Sequence, residues 1–316
     1  MDPREFIRFN GYFLPAFDEQ ILSEDEQYVI FVDSVGRTRK ALKEGTSRGG
    51  RMSMDTYIDF PVHTMEDWQA LKPRLLIRMD RYEPYWEELR VQGWRNRTYP
   101  LIFGPNCSTL GFYWWARDLM GTEGLSYALF DQPNLVHDIM EHHADFLIEA
   151  ARPVLEKTTV EYVCLNEDLS MKGGPLISPR AYKTFIFPRL KRVIDFYKSH
   201  GTRYFAIDTD GNPEALVPMF MDAGVDVLWP LERASDQDPV RLRKKFGKSL
   251  RLWAGVDKRE LAKDRRAIDD HLRTMIPLIE EGGFIPAVDH TVPPDVPLDN
   301  FLYYMERKQA LLEGRF

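Results

Sequence analysis

From about residue 100 onward, short apolar runs alternate with longer segments of helical periodicity. The runs, at 100–103, 162–165, 204–207, 227–229, 250–253 and 284–288, are rich in β-branched and aromatic residues. Runs of this kind are typical of strands that are buried on both faces. An alternation of strands and helices predicts a parallel sheet with right-handed crossovers, either doubly wound or closed into a barrel.

The segments between these runs contain helix start and stop signals. One helix is predicted from Pro133 to about Leu155, with proline in its first turn, and another opens at Ser178-Pro179 and stops at Gly201. Three further helices are predicted over 212–224, 265–281 and 299–312.

Polar residues follow five successive predicted strands directly. They are Asn166, Glu167 and Asp168, then Asp208, Thr209 and Asp210, then Glu232 and Arg233, then Asp257 and Lys258, and finally Asp289 and His290. Such a series is typical of the catalytic face of a TIM barrel. A dinucleotide-binding sheet would instead show G-x-G-x-x-G after an early strand, and that motif is absent from the sequence. The sequence therefore predicts a TIM (β/α)8 barrel.

The first 95 residues have a different pattern. Residues 28–32 and 38–42 flank Asp33-Ser34-Val35-Gly36, which predicts a hairpin, and 61–90 is mostly polar and helical. We expect residues 1–95 to pack as a hairpin and helical segment on a barrel body of 96–316, as one structural domain. Only six barrel strands are clear. Residues 13–14 and 28–32 are weak candidates for the others, so the first strand is one that this chain could lack.

Composition narrows the functional classes. The 316 residues have a formal net charge of −7, which argues against sequence-independent nucleic-acid binding. Cys107 and Cys164 are the only cysteines, too few for a four-thiolate zinc site. The chain has no apolar run long enough to span a membrane and no signal-peptide layout, so we expect a cytoplasmic protein.

Among the residues at the strand ends, His290 is the first candidate for catalysis, as a metal ligand or a proton carrier. Asp208 and Asp210 could bind a divalent metal or accept protons from substrate, or Asp210 could cap a helix while Asp208 bonds backbone. For Glu167 and Asp168, one member could cap the next turn while the other faces the barrel mouth.

Several acids that converge with one histidine would repel one another unless a cation sits between them or some pKa values are raised. We therefore predict Glu167, Asp210 and His290 as catalytic residues and as ligands of a divalent metal, with zinc favoured. The predicted substrate-binding residues are Asp208, Asp168, Asn106, Trp114 and Asp289. The aromatic residues Trp114, Trp229 and Trp253 could line a pocket for a planar substrate or belong to the barrel core. His142 and His143 are predicted to be surface or helix-packing residues.

Several segments together resemble the uroporphyrinogen decarboxylase superfamily. They are residues 128–136, Ile177-Ser178-Pro179 with its helix, 252–258, 287–296 and 300–304. Residues 61–68 and the hairpin resemble the branch that contains the corrinoid-dependent methyltransferases. The resemblance covers roughly residues 20–316 and implies a (β/α)8 barrel with its site at the carboxyl ends of the strands.

Departures from the family pattern decide between its activities. The decarboxylases have an arginine-rich Met-Arg-Gln-Ala-Gly-Arg motif that residues 6–11 do not match, and an acidic rim would repel a poly-acid substrate. The thiol-activating methyltransferases hold zinc through His-x-Cys and a later Cys, where this chain has Asp208-Thr209-Asp210 and Asp289-His290.

The resemblance thus implies a methyltransferase or demethylase that moves a methyl group between a small methylated substrate and cobalamin on a corrinoid partner protein. Decarboxylation of a uroporphyrinogen-type substrate, or a barrel that binds without turnover, stays open as an alternative. So does a homodimer.

Overall fold

The computed structural model describes residues 4–43, 46–47, 50–51, 54–104 and 109–316. Its strands are β1 (Glu5–Ile7), β2 (Gln20–Glu24), β3 (Tyr28–Val32), β4 (Thr38–Leu42), β5 (Thr46–Ser47), β6 (Gly50–Arg51), β7 (Thr56–Asp59), β8 (Leu101–Phe103), β9 (Thr109–Leu110), β10 (Tyr162–Asn166), β11 (Ser170–Met171), β12 (Gly174–Pro175), β13 (Tyr204–Asp208), β14 (Val227–Trp229), β15 (Arg251–Trp253) and β16 (Phe284–Ile285).

The α-helices are α1 (Met65–Leu71), α2 (Trp86–Arg95), α3 (Phe112–Asp131), α4 (Pro133–Leu155), α5 (Pro179–Phe185), α6 (Phe187–Ser199), α7 (Val217–Ala223), α8 (Pro239–Phe246), α9 (Lys258–Leu261), α10 (Arg265–Arg273), α11 (Ile276–Glu281) and α12 (Leu298–Leu312). Short 3-10 helices cover Lys72–Leu75, Met79–Arg81 and Arg233–Ser235. None of the helices in the described ranges is both long and apolar enough to cross a membrane.

The main sheet is parallel and has the order β1-β8-β10-β13-β14-β15-β16, with β9 paired to β10. Helices follow its strands in turn, which confirms the predicted α/β barrel architecture. Along this path the described residues provide seven strands, and no ladder among them joins β1 to β16.

Two expectations about the missing strands were wrong. The strand that precedes β8 in the sheet is Glu5–Ile7, and its pairing with Leu101–Phe103 is parallel. Residues 13–14 lie outside any strand, and Tyr28–Val32 belongs to an antiparallel sheet of order β2-β3-β4-β7. The predicted hairpin of β3 and β4 is confirmed. β1 is only three residues long, so its sequence has no strand signal of the kind found at 162–165.

The barrel interior is narrow and aromatic. Cys164, Ala206 and Val227 form its buried centre, against which Trp229 and Trp253 pack. Because side chains alternate along a strand, the inward positions after Ala206 and Val227 are Asp208 and Trp229. These residues thus lie at the carboxyl edge of the sheet and face into the barrel.

Candidate functional site

A cavity of about 470 Å³ opens at the carboxyl ends of the barrel strands. It is lined by Trp114, Asn166, Asp168, Asp208, Asp210, Trp229, Pro230, Val288, His290 and Thr291. Five of the eight residues predicted for the site are in this set, namely Trp114, Asp168, Asp208, Asp210 and His290. Glu167 and Asp289 are not in it, and Asn106 lies outside the described residues.

Asp208 lies at the end of β13, beside Asn166 on one neighbouring strand and Trp229 on the other. Burial, together with the negative charges of Asp210 and Asp168, raises the pKa of its carboxyl group to about 8. A carboxyl group with such a pKa is protonated at neutral pH and can donate a hydrogen bond or a proton.

Asp210 and His290 meet across the cavity. His290 Nε2 lies 3.2 Å from Asp210 Oδ2, and the two side chains are 38% and 40% exposed. Burial raises the pKa of Asp210, and the neighbouring His290 opposes this rise. The pair is thus reachable from solvent through the mouth of the barrel.

Glu232 completes a three-residue donor set with Asp210 and His290. One ligand atom of each residue lies within 4.8 Å of the other two. Glu232 Oε2 also accepts a hydrogen bond from the Gly211 N–H at 2.9 Å, which joins the loops after β13 and β14. Two carboxylates and an imidazole form a ligand set that suits zinc or another divalent cation. Lys258 Nζ lies 3.7 Å from Glu232 Oε1, so a cation would share this carboxylate with an ammonium group.

Glu167 points away from the cavity and is fully buried. Its two carboxylate oxygens accept hydrogen bonds from the backbone N–H groups of Phe112 and Tyr113, at 3.0 and 2.7 Å, in the first turn of α3. Burial raises its pKa to about 7, against the lowering effect of these N–H groups. Glu167 therefore anchors a helix N-terminus, and the structure places Glu232, not Glu167, beside Asp210 and His290.

The side chain of Asp168 points the opposite way from that of Glu167. It lines the cavity, and its Oδ2 accepts a hydrogen bond from Arg117 Nη2 at 2.9 Å. The division that the sequence left open, with one acid capping and the other facing the mouth, is resolved as Glu167 capping and Asp168 facing the cavity.

Asp289, like Glu167, does not line the cavity. Both belong to what we call the frame, the buried side chains that hold neighbouring strands and helices in place. Its side chain is buried, and it accepts hydrogen bonds from the backbone N–H groups of Arg233 and Lys258 at 3.0 and 3.1 Å. Burial raises its pKa. Because Arg233 and Lys258 follow β14 and β15, Asp289 holds three consecutive strand ends together.

Aromatic rings form the apolar walls of the cavity. Trp229 stacks on Trp253, with ring centroids 4.9 Å apart. Trp114, in the first turn of α3, donates a hydrogen bond from Nε1 to Asp118 Oδ2 at 3.1 Å, and the guanidinium of Arg117 lies 4.6 Å from the centre of its ring. The sequence left open whether these tryptophans line a pocket or belong to the barrel core. Trp229 lines the cavity, whereas Trp253 packs against Trp229 in the barrel core.

Two further candidates lie elsewhere. Asn106 and Cys107 fall outside the described residues. His143 is buried among Phe112, Trp115 and Phe146, with Nε2 3.0 Å from the Leu110 carbonyl oxygen. Its position agrees with the helix-packing role expected from the sequence.

Glu232 is the site residue that the sequence reasoning missed. It lies in the loop after β14 and is one of the polar residues noted at the strand ends, so the signal is present in the sequence. For Glu167 and Asp168, adjacent residues point in opposite directions at a strand end, and only one of the two can face the cavity.

Comparison with known proteins gives a consistent result. Residues 115–310 match the family described as Uroporphyrinogen decarboxylase (URO-D). Among solved structures, a methyltransferase from Methanosarcina mazei has a similar fold, with a TM-score of 0.54 and 15% sequence identity, over 83% of this chain and 74% of that one. The chain has no significant sequence match among curated proteins.

Proposed function

This chain belongs to the uroporphyrinogen decarboxylase family, and we propose that it is a methyltransferase that removes a methyl group from a small methyl ether and passes it to a corrinoid on a partner protein. The observation that supports this proposal best is the cavity, which combines tryptophan walls with a protonated carboxyl group at Asp208 and a donor set at Asp210, Glu232 and His290. The similar fold of the methyltransferase from Methanosarcina mazei also supports a methyltransferase role.

The charge of the cavity argues against a porphyrinogen substrate. Among the described residues that line it, none is lysine or arginine, whereas Asp168, Asp208 and Asp210 are acids. The nearby Arg117 already pairs with Asp168. A substrate with several carboxylates would therefore find no lysine or arginine among these lining residues to pair with.

Loss of a methyl group from an ether requires that the departing oxygen be stabilised. The carbon–oxygen bond breaks with its electron pair on oxygen, so the departing group is an alkoxide or a phenolate unless it gains a proton. Asp208, with its pKa raised to about 8, holds a proton at neutral pH and can transfer it to that oxygen. The products are then the free alcohol or phenol, the Asp208 carboxylate and the transferred methyl group.

The neighbouring donor set adds to this stabilisation. Asp210, Glu232 and His290 would hold a divalent metal, for which zinc fits the mixture of carboxylate and imidazole ligands. Such a cation would supply Lewis-acid stabilisation of negative charge in the cavity. His290 and Asp210, which lie 3.2 Å apart, also keep each other in place at the mouth.

The acceptor must reach the methyl group from the open side of the barrel. A corrinoid on a partner protein would supply a nucleophilic acceptor for the methyl group. The exposure of Asp210 and His290 at the mouth leaves that side accessible to such a partner. Trp229 and Trp114 provide flat apolar walls against which a substrate ring can pack.

The test is methyl transfer from 2-methoxyphenol to free cob(I)alamin, followed by the absorbance change of the corrinoid. We expect the zinc-loaded protein to accelerate the transfer and the Asp208→Asn variant to lose most of the rate. Lys191→Gln, in an exposed ion pair with Asp195 on α6, is the matched control and should behave like the wild type. No acceleration by the wild type, or an undiminished rate in Asp208→Asn, would contradict the proposal.

A parallel assay separates the family's other activity. Release of carbon dioxide from uroporphyrinogen, without methyl transfer, would assign the protein as a decarboxylase. Inactivity in both assays, with 2-methoxyphenol still bound, would identify a binding module.

A further inference from the structure

The antiparallel sheet and the segment after it contact helix α3 at three points. Arg37 Nη1 donates a hydrogen bond to Asp118 Oδ1 at 2.6 Å. The Val62 N–H donates to the Leu119 carbonyl at 3.0 Å. The Phe60 ring packs over Gly121. These contacts all fall on the half of α3 that carries Trp114 and Arg117.

Asp118 connects the first of these contacts to the cavity. Its side chain is nine-tenths buried, and its second oxygen accepts the hydrogen bond from the indole N–H of Trp114 at 3.1 Å. On the other side, Arg37 Nε donates to Asp33 Oδ2 at 2.9 Å. An unbroken series of hydrogen bonds therefore runs from the turn between β3 and β4 to a wall of the cavity.

The rigidity of this connection follows from its burial. Asp33 also accepts hydrogen bonds from the backbone N–H groups of Val35 and Arg37, so the turn that presents Arg37 is held in one conformation. Charge-assisted hydrogen bonds in a buried setting are stronger and more directional than exposed ones. Trp114 is thus held by Asp118 of its own helix, and Asp118 is held in turn by Arg37, which lies outside that helix.

A kink in α3 provides the second and third contacts. Gly121 has a φ of 73°, outside the helical range, and a Cβ at this position would lie 2.4 Å from the Phe60 ring. The kink allows Phe60 to pack against the backbone of α3, next to the hydrogen bond between Val62 and Leu119. The first half of α3 is therefore fixed from the side of the antiparallel sheet.

We propose that residues 33–37 and 60–62 act as a clasp that positions Trp114 through Asp118 and thereby sets which methyl donors the cavity accepts. Asp118 and Arg37 are positioning residues, since in the structure they act on the cavity wall through Trp114. The clasp lies outside the segment that matches the family, 115–310, so a specificity wall depends on a part of the chain that the match does not include. The choice of methyl donor rests on the proposed function, whereas the positioning of Trp114 does not.

The positioning is tested without any substrate, by fluorine NMR of protein labelled with 5-fluorotryptophan. The Trp114 resonance is assigned from its loss in Trp114→Phe. We expect it to shift or broaden in Arg37→Gln, Asp118→Asn and Gly121→Ala, while the Trp229 and Trp253 resonances stay in place. The control Lys191→Gln should reproduce the wild-type spectrum. A Trp114 resonance that coincides with the wild type in Arg37→Gln and Gly121→Ala would overturn the clasp.

The effect on the choice of donor is tested by titration with 2-methoxyphenol and by methyl transfer. Loss of one hydrogen bond to the wall predicts a dissociation constant, and a KM, raised by about three- to tenfold, with kcat within about twofold of the wild type. Shifted Trp114 resonances with an unchanged dissociation constant would contradict the specificity role. If the shifts occur but no variant and no wild type transfers methyl groups, the positioning stands and the proposed function fails.

Discussion

Two adjacent pairs of polar residues at strand ends, Glu167 with Asp168 and Asp289 with His290, divide their roles in the same way. In each pair the first residue is buried and accepts hydrogen bonds from backbone N–H groups of neighbouring segments. The second faces the cavity. Because successive side chains point in opposite directions, one polar run supplies both the frame of the barrel and its site. The comparison separates variants that should affect stability from variants that should affect activity.

The largest expected effect is on the cavity side. His290→Ala and Asp210→Asn each remove a metal donor and one half of the pair at the mouth, so we expect the rate of methyl transfer to fall by about 10²- to 10⁴-fold. Because both side chains are well exposed, the melting temperature should stay near that of the wild type. The rate is measured with cob(I)alamin and the melting temperature by circular dichroism. A lowered melting temperature together with an unchanged rate of methyl transfer would instead assign these two residues to the frame.

On the frame side, Glu167 should make stability depend on pH. Its folded pKa, raised to about 7, lies above the ordinary value of 4.5, so the folded state holds a proton that the unfolded state has lost. Stability from this group is therefore present below about pH 4.5 and is lost as the pH rises through 7, by about 3 kcal/mol in total.

Glu167→Gln cannot ionise, so its stability relative to the wild type should improve by about 3 kcal/mol between pH 5 and pH 8. Urea unfolding at several pH values measures this difference. A difference in unfolding free energy that does not change with pH would show that Glu167 ionises normally in the folded protein.

Asp208 is expected to control the pH dependence of the reaction. With a pKa raised to about 8, its carboxyl group is a proton donor at neutral pH and loses that ability as the pH rises further. In metal-free protein the wild-type rate should therefore fall above about pH 8, and Asp208→Asn should be about 10²-fold slower with no such fall. A pH–rate profile of both proteins is the measurement. An alkaline limb that persists in Asp208→Asn would assign the titration to another group.

The smallest expected effect concerns Asp289. In Asp289→Asn one oxygen is replaced by an amide that cannot accept, so one of the N–H groups of Arg233 and Lys258 loses its partner. We expect a loss of about 1–2 kcal/mol in the free energy of unfolding, with zinc binding retained. Urea unfolding and a zinc titration of the same sample provide the two values. Loss of zinc without loss of stability would place Asp289 in the site after all.

The sequence was sufficient for the barrel and for the edge of the sheet at which the cavity opens. Apolar runs such as Tyr162–Asn166 and Tyr204–Asp208 have a strong local signal, and the polar residues that follow them mark one edge of the sheet. It was not sufficient for β1, because Glu5–Ile7 is three residues long and becomes a strand only through its pairing with Leu101–Phe103.

The direction of individual side chains was harder to predict than their position along the chain. Glu167 and Asp168 are neighbours of similar chemistry, and only the nearby N-terminus of α3 decides which of them turns outward. Glu232 enters the site because the loops after β13 and β14 come together, with its carboxylate bonded to Gly211. Contacts of this kind depend on tertiary structure and leave no pattern in a single sequence.

The central claim, that the acids divide between cavity and frame, is tested most directly by zinc titration of metal-free wild type, Glu232→Gln and Glu167→Gln. We predict one equivalent of zinc for the wild type, an affinity at least about tenfold weaker for Glu232→Gln, and wild-type binding for Glu167→Gln. Circular dichroism of each protein controls for folding. A wild type that binds no zinc, or a Glu167→Gln variant that loses zinc while Glu232→Gln retains it, would contradict this division.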